Sequence, residues 1–540
     1  MSPIVRESYR VPRGDREVYL HPAASDIVPL VARNRRRIAS YAFDLAGRPI
    51  REFRAAARSE CLALARRHTE QRGFAATPWS EPKPVIMTGH QPQPFHPGVW
   101  FKNFLAGNLA SAVGGAAVNL AVDNDEVHPQ VFRFPTGRTS RGGEADGVRT
   151  AEVPFAAATS VPFEEQPASA LRREAADEIL PLLPLPCAEP FRRFWRYLVE
   201  AASGASSLGE AVAAARCRLE AEVGLANLEV PVSRLADSDA FRWFFAAMLA
   251  RHEDLFAAYN ESLAEFRRVY HERSAAQPVP DLVRDGRRAE LPYWAWRAGQ
   301  KRRRLWVEKG TDGDLQLAAD REPIGSIRGA DLSAPSVVAA HLAKWRREGW
   351  KIRPRAITLT LFVHLCLGDV FIHGVGGALY DKVTGAIFER LFAVPPPELV
   401  LASCAVHLPL QAHPATARDL EAARRAVRDW RFNPDRLLAE EKRRRPDVRA
   451  LVDEKRRLIE RRGPSREARR RVFRRIREID ETLVQFEPGG PAAARQHMDE
   501  MRRQRRENAI LQNREYPFCL YAAEALAAFY RQAARFELVS

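Results

Sequence analysis

Cysteine is scarce in this chain: six residues in 540 (Cys61, Cys187, Cys217, Cys366, Cys404 and Cys519), no two of them in a CxxC spacing. That argues against a zinc knuckle or a disulfide framework and favours a reducing compartment. Uninterrupted apolar runs of the roughly 20 residues that span a membrane are also missing. The longest apolar stretch, Ala356 to His373, is broken by His364 and Asp369 and is rich in β-branched side chains, so two buried strands are expected there. The opening MSPIVRESYRVPRGDR has no apolar core of the kind a secretory signal needs. No Ser–His–Asp or Cys–His nucleophile set is legible, and the cysteines sit in apolar contexts. The expectation is a soluble, cytoplasmic protein with no membrane partner.

What the chain does contain is basic charge and an ordinary apolar content. The formal charge is +16 and the hydrophobic fraction 46%, with a pI near 9.9. A sizeable core is available, and anionic partners such as nucleotides, RNA or acidic metabolites are favoured. Ala- and Arg-rich composition throughout is equally what a GC-rich genome produces. At about 150 residues per domain, the length predicts two to four domains.

The stretch Val85 to Ala110, VIMTGHQPQPFHPGVWFKNFLAGNLA, reads as a strand, a Gly/His turn and a helix. A strand ending in such a turn at a helix start is a standard place to hold an anion. His90 and His96 are the candidate catalytic groups, able to contact phosphate oxygens or a developing oxyanion. Gly89 and Gly98 allow close backbone approach, and Gln91 and Lys102 complete the candidate cofactor-binding set. After Gly114-Gly115, AAVNLAV reads as a buried strand running into Asp123, Asn124, Asp125 and Glu126. Strand, helix, strand and acidic turn make a βαβ unit and imply a parallel sheet with ligands at the carboxyl ends of its strands. Asp123 and Asp125 could meet an amine, a ribose or a metal; a capped helix start explains them as well.

Residues 136 to 185 look irregular, Pro190 to His271 is helical, and 290–320 suggests a β-hairpin around a Gly-Thr-Asp-Gly turn. There Trp294 and Trp296 interleave with Arg297 and Lys301 to Arg304, a pattern read as one packed and one charged face. The loop His373-Gly374-Val375-Gly376-Gly377 precedes a helix from Ala378 to Leu391 and forms a second strand, glycine loop and helix unit. It is not a Walker A, since no Gly-Lys-Ser/Thr follows, yet His373, Gly374, Gly376 and Gly377 could line the same cleft as the first turn. Tyr380, Asp381 and Lys382 read as a solvated first turn. From Thr416 to about Glu515 the chain is helical and basic, with a sparse apolar stripe suited to an antiparallel hairpin. It could bind RNA, but a solvated face is the favoured reading.

TGHQPQPFHPGVWFKNFLA, AVNLAVDNDEVHPQVFRFP, DVFIHGVGGALYDKVTGAIFERLF, the charged hairpin and NREYPF together resemble the bacillithiol biosynthesis cysteine-adding enzymes. The match in order and spacing covers roughly 85–135 and 355–515. This chain keeps the family's second turn glutamine as Gln91 and has His90 in place of the first. It carries Asp123-Asn124-Asp125-Glu126 for Glu-Asp-His-Asp, and Gly374-Val375-Gly376-Gly377-Ala378 for Gly-Gly-Pro-Gly-Glu. Where the family has an Arg-Pro pair it has Leu359-Thr360, with Arg353 and Arg355 close by. His96-Pro97-Gly98 is also reminiscent of the HxGH signature of class I aminoacyl-tRNA synthetases, without their later lysine loop.

The resemblance implies an α/β fold, a Rossmann-like parallel sheet core split by an α+β insertion and followed by a long antiparallel coiled coil that makes a homodimer. Residues 1–135 would hold N-terminal helices and the first half of the core, 136–350 the insertion, and 351–414 the second half. The helical hairpin would span 415–512, and 513–540 would dock on the core. The implied function is a cysteine ligase joining an amino acid to an amino-sugar acceptor in thiol synthesis, with ATP or ADP as cofactor and the metal left open. The alternatives are a nucleotidyl- or aminoacyl-transfer enzyme on the same scaffold, or a non-catalytic RNA-binding or scaffolding protein.

Overall fold

A computed structural model describes residues 4–75, 80–137, 147–460 and 465–536. The chain divides into two compact units, one of Met1–Thr136, Ala151–Leu408 and Arg514–Ser540, the other of Gly137–Thr150 and Pro409–Asn513.

The larger unit is built on a six-stranded sheet. From one edge its order is Glu17–His21, Val400–Ala405, Val370–His373, Val85–His90, Ala116–Ala121 and Leu228–Pro231. The last five strands are parallel, and only Glu17–His21 runs against them. Numbered along the chain, the five parallel strands lie in the order 3-2-1-4-5 from the Leu228 edge. The direction of winding therefore reverses between Val85–His90 and Val370–His373. In open α/β sheets, the crevice beyond the carboxyl ends of two such strands is where ligands bind.

The βαβ unit expected after residue 85 is present. Val85–His90 pairs in register with Ala116–Ala121, and the helix Pro97–Ala112 connects them. That helix is apolar on all sides and accordingly buried, with Trp100, Phe101, Phe104 and Leu105 all at 1% exposure or less. Gly98 is what lets it approach the sheet, since a Cβ there would lie 2.4 Å from the Cys404 carbonyl oxygen.

The stretch expected to form two strands does not. Ala356–Phe362 is an α-helix, Val363–Leu367 continues it as a π turn, and only Val370–His373 is a strand. β-branched side chains are tolerated in this helix because every residue from Ile357 to Leu367 is buried, so packing outweighs propensity. The π turn is held by Arg54 of the helix Ile50–Gln71, which donates to the carbonyls of Leu365 (2.8 Å) and Gly368 (2.6 Å). Arg54 and Arg58 also pair with Asp369 at 3.2 and 3.0 Å, and Asp369 accepts from the Val85 amide at 2.8 Å. This network fixes the π turn and the start of both central strands.

The expected hairpin is part of an antiparallel sheet ordered Glu322–Ile327, Leu315–Ala319, Arg303–Lys309, Arg288–Arg297 and Trp350–Pro354. Arg302 and Arg355 lie over the Trp294 ring, which gives those cations an internal role. In the smaller unit the helix Ala417–Phe432 packs on Gly490–Leu511, and Pro446–Glu460 on Arg466–Val484. These helices share a small core of Trp430, Leu438, Val448, Ile479 and Leu483. Among the described residues, no helix is long and apolar enough to cross a membrane.

Candidate functional site

The winding reversal brings both glycine turns to one crevice. Ile372 pairs with Thr88, and the Thr88 hydroxyl donates to the Ile372 carbonyl at 3.0 Å, so His373 emerges beside Gly89. Lys102, in the second turn of the helix Pro97–Ala112, is 6% exposed and donates from Nζ to the Gly89 carbonyl at 3.1 Å. Among the described residues it has no ion-pair partner. Its charge bears on His90, His96 and His373 alike, which places it among the three imidazoles. Burial pushes the lysine down to about 8, so it remains mostly a cation at neutral pH.

The second glycine turn adds backbone donors. The helix Val375–Phe392 starts at Gly374 with no side-chain cap, leaving its first amides for an anion. A Cβ at Gly374 or Gly376 would meet nothing within 4 Å, whereas at Gly377 it would come within 2.8 Å of His373 Nδ1. Gly377 therefore makes room for an imidazole. Across the crevice, Gln91 donates to Asp125 at 2.9 Å, and Arg302 donates to the same carboxylate at 2.5 Å. Asp125 also bears electrostatically on Tyr380, which links the acidic turn to the second helix.

The two histidines singled out from the first turn are engaged internally. His90 Nε2 lies 3.3 Å from Asn103 Oδ1, and the Asn103 amide nitrogen donates to Glu220 at 2.7 Å. That second bond fixes the Asn103 oxygen as acceptor, and Nδ1 of His90 faces the Gln91 carbonyl at 3.2 Å, so each ring nitrogen meets an oxygen of the chain. Burial, with Arg216 and Lys102 nearby, pushes His90 down to about 3, so it is neutral. His96 is the N-cap of its helix, its Nδ1 accepting from the Gly98 amide at 3.1 Å, and its Nε2 faces Glu515 at 3.5 Å. Both support the turn from within.

Asp123 points to a different place. Its carboxylate accepts from the Ser233 amide (2.8 Å) and hydroxyl (2.5 Å), after the strand Leu228–Pro231. It lines a cavity of about 310 Å³ whose wall mixes cations (Arg72, Arg234, Arg346, Lys351 and Arg353) with further acids (Glu164, Glu210 and Asp237). Burial and the neighbouring Glu164 push Asp123 up to about 7. This cavity lies beyond the ends of the third and second parallel strands.

No family model matches the chain, and no curated protein matches it.

His373, a candidate from the second glycine turn, has two buried companions that the sequence reading missed. His364 of the π turn and Asp381 of the helix Val375–Phe392 are buried against His373, so Asp381 is not part of a solvated first turn. The signal that could have found them is chemical: two histidines and an aspartate within 18 residues of apolar sequence.

Proposed function

We propose that the protein is a ligase of the cysteine-adding type, joining an amino acid to an amino-sugar acceptor with ATP or ADP in the crevice of a Rossmann-like core. The observation that carries the reading is Lys102: a buried cation with no carboxylate partner among the described residues, close enough to bear on His373, which directly precedes the uncapped start of the helix Val375–Phe392. A buried charge is costly unless something compensates it, and a phosphate or carboxylate oxygen would do so. The cavity around Asp123 suits the acceptor. Its cations are paired with carboxylates of the chain, Arg353 with Glu164 and Asp237 and Arg346 with Asp237, so an acidic amino-sugar would bind there by taking over some of those pairings, and a carboxyl group held near pH 7 suits transfer of a proton from the acceptor amine. Histidine catalysis plays no part in this version of the reaction, and Lys102 supplies the charge instead. The helical unit is the proposed dimerisation element, supported by Ile459 and Phe473 at 58% and 60% exposure.

The experiment is a thermal-shift and product assay with ATP, ADP, cysteine and glucosaminyl-malate on the native chain and on Lys102→Met. Stabilisation by nucleotide in the native chain only, with amide product formed from cysteine and the acceptor, is expected. Nucleotide stabilisation without any response to the acceptor would transfer the scaffold to another acyl or nucleotidyl acceptor. Absence of any small-molecule response would remove the enzyme reading.

A further inference from the structure

We infer that His364, His373 and Asp381 form a binding site for one divalent first-row transition-metal ion of the zinc, cobalt or ferrous class. The donors come from three elements that meet at the winding reversal: the π turn, the end of the strand Val370–His373, and the second turn of the following helix. Nε2 of His364 lies 2.9 Å from Asp381 Oδ1, and Nε2 of His373 lies 3.6 Å from the same oxygen. One ligand atom from each residue falls within 4.8 Å of the others. Ligands held at about 2.0–2.2 Å from a metal stand roughly 3 Å apart, so small side-chain shifts complete the set.

Two independent observations separate this cluster from an ordinary buried ion pair. His373 Nε2 is buried and has no hydrogen-bond partner among the described residues, although it is aimed at the carboxylate. A buried polar nitrogen left without a partner calls for an explanation, and an ion supplies one. The supporting framework is also unusual. The π turn presents His364 inward, as π turns at functional sites do, and Arg54 clamps that turn by its carbonyls. Gly377 leaves the space that the His373 ring occupies.

Two imidazoles and one carboxylate are the donor set of open transition-metal sites, with remaining positions for water or a ligand oxygen. Calcium and magnesium, which prefer all-oxygen ligands, are disfavoured. The positive charge of Lys102 opposes the ion, and Asp381 offsets it. The inference stands whether or not the crevice takes a nucleotide.

The test is a titration of tag-free, chelator-treated full-length protein with Co²⁺, followed by visible absorption, and by competition with Zn²⁺. One equivalent giving ligand-field bands of a four- or five-coordinate site, displaced by Zn²⁺, is expected. His373→Ala and Asp381→Asn should weaken binding at least about 100-fold, the upper end of what losing even an outer partner costs. Gly377→Ala keeps all three donors and displaces only the ring, so it should weaken binding while leaving the circular dichroism spectrum unchanged. Failure of the native chain to bind Co²⁺ or Zn²⁺, or equal binding by native protein and the folded Gly377→Ala and Asp381→Asn variants, would overturn the assignment.

Discussion

Lys102 illustrates what a single buried charge does to stability. Its folded value of about 8 lies below the usual 10.5, so the folded chain releases this proton before the unfolded one does. The charge therefore costs stability below pH 8, and that cost disappears as pH rises from 8 towards 10.5. Lys102→Met should raise stability at pH 7 by about 1 to 3 kcal/mol in urea unfolding, the loss of its bond to Gly89 trimming the gain. The same variant should lose nucleotide binding. Asp123 behaves in the opposite sense along the pH axis. Its carboxyl group is held near 7, above the ordinary 3.8, so the folded chain keeps a proton that the unfolded chain has lost. Stability from this group is greatest below pH 4 and declines as pH rises through 7. Asp123→Asn should flatten the stability profile between pH 4 and 7; an unchanged slope would place the raised value elsewhere.

Among the elements, the helix Pro97–Ala112 and the π turn are held by features with no slack. Gly98→Ala would drive a methyl group into the Cys404 carbonyl, and the expected cost is about 2 kcal/mol or more by thermal unfolding. Arg54→Met would leave the Asp369 carboxylate and several carbonyls under-satisfied in the interior, with an expected loss of about 3–5 kcal/mol. How far such elements can be read from sequence depends on how local their causes are. The Val85 to Ala121 unit was legible because a strand, a glycine turn and an apolar helix each leave their own pattern. The four-residue strand Leu228–Pro231 was not, since it lies between long helical stretches and ends in proline. Ala356–Phe362 misled because β-branched residues in a helix buried from Ile357 onward look like strands. His90 and His96 were visible as chemistry but not as supports, because Asn103 and Glu515 are contacts of the folded chain. The His364, His373 and Asp381 cluster depends on a π turn, which leaves no periodic trace in the sequence.

At the scale of the whole molecule, the two units have separate apolar cores, and this predicts separable unfolding. Calorimetry of the full chain should resolve two transitions, with Leu483→Ala lowering only the one that belongs to the helical unit. If that unit makes a dimer, Phe473→Glu should shift the light-scattering mass to that of a monomer; an unchanged mass would exclude the exposed face around Phe473 as the interface. The sheet has a consequence of another kind. Its two central strands are neighbours, yet the Val85 amide and the Asp369 carboxylate that tie them together are 284 residues apart in sequence. A ribosome making this protein releases the first glycine turn long before the second exists. The nascent chain therefore carries Lys102 without its crevice, which is complete only once the second glycine turn has been synthesised.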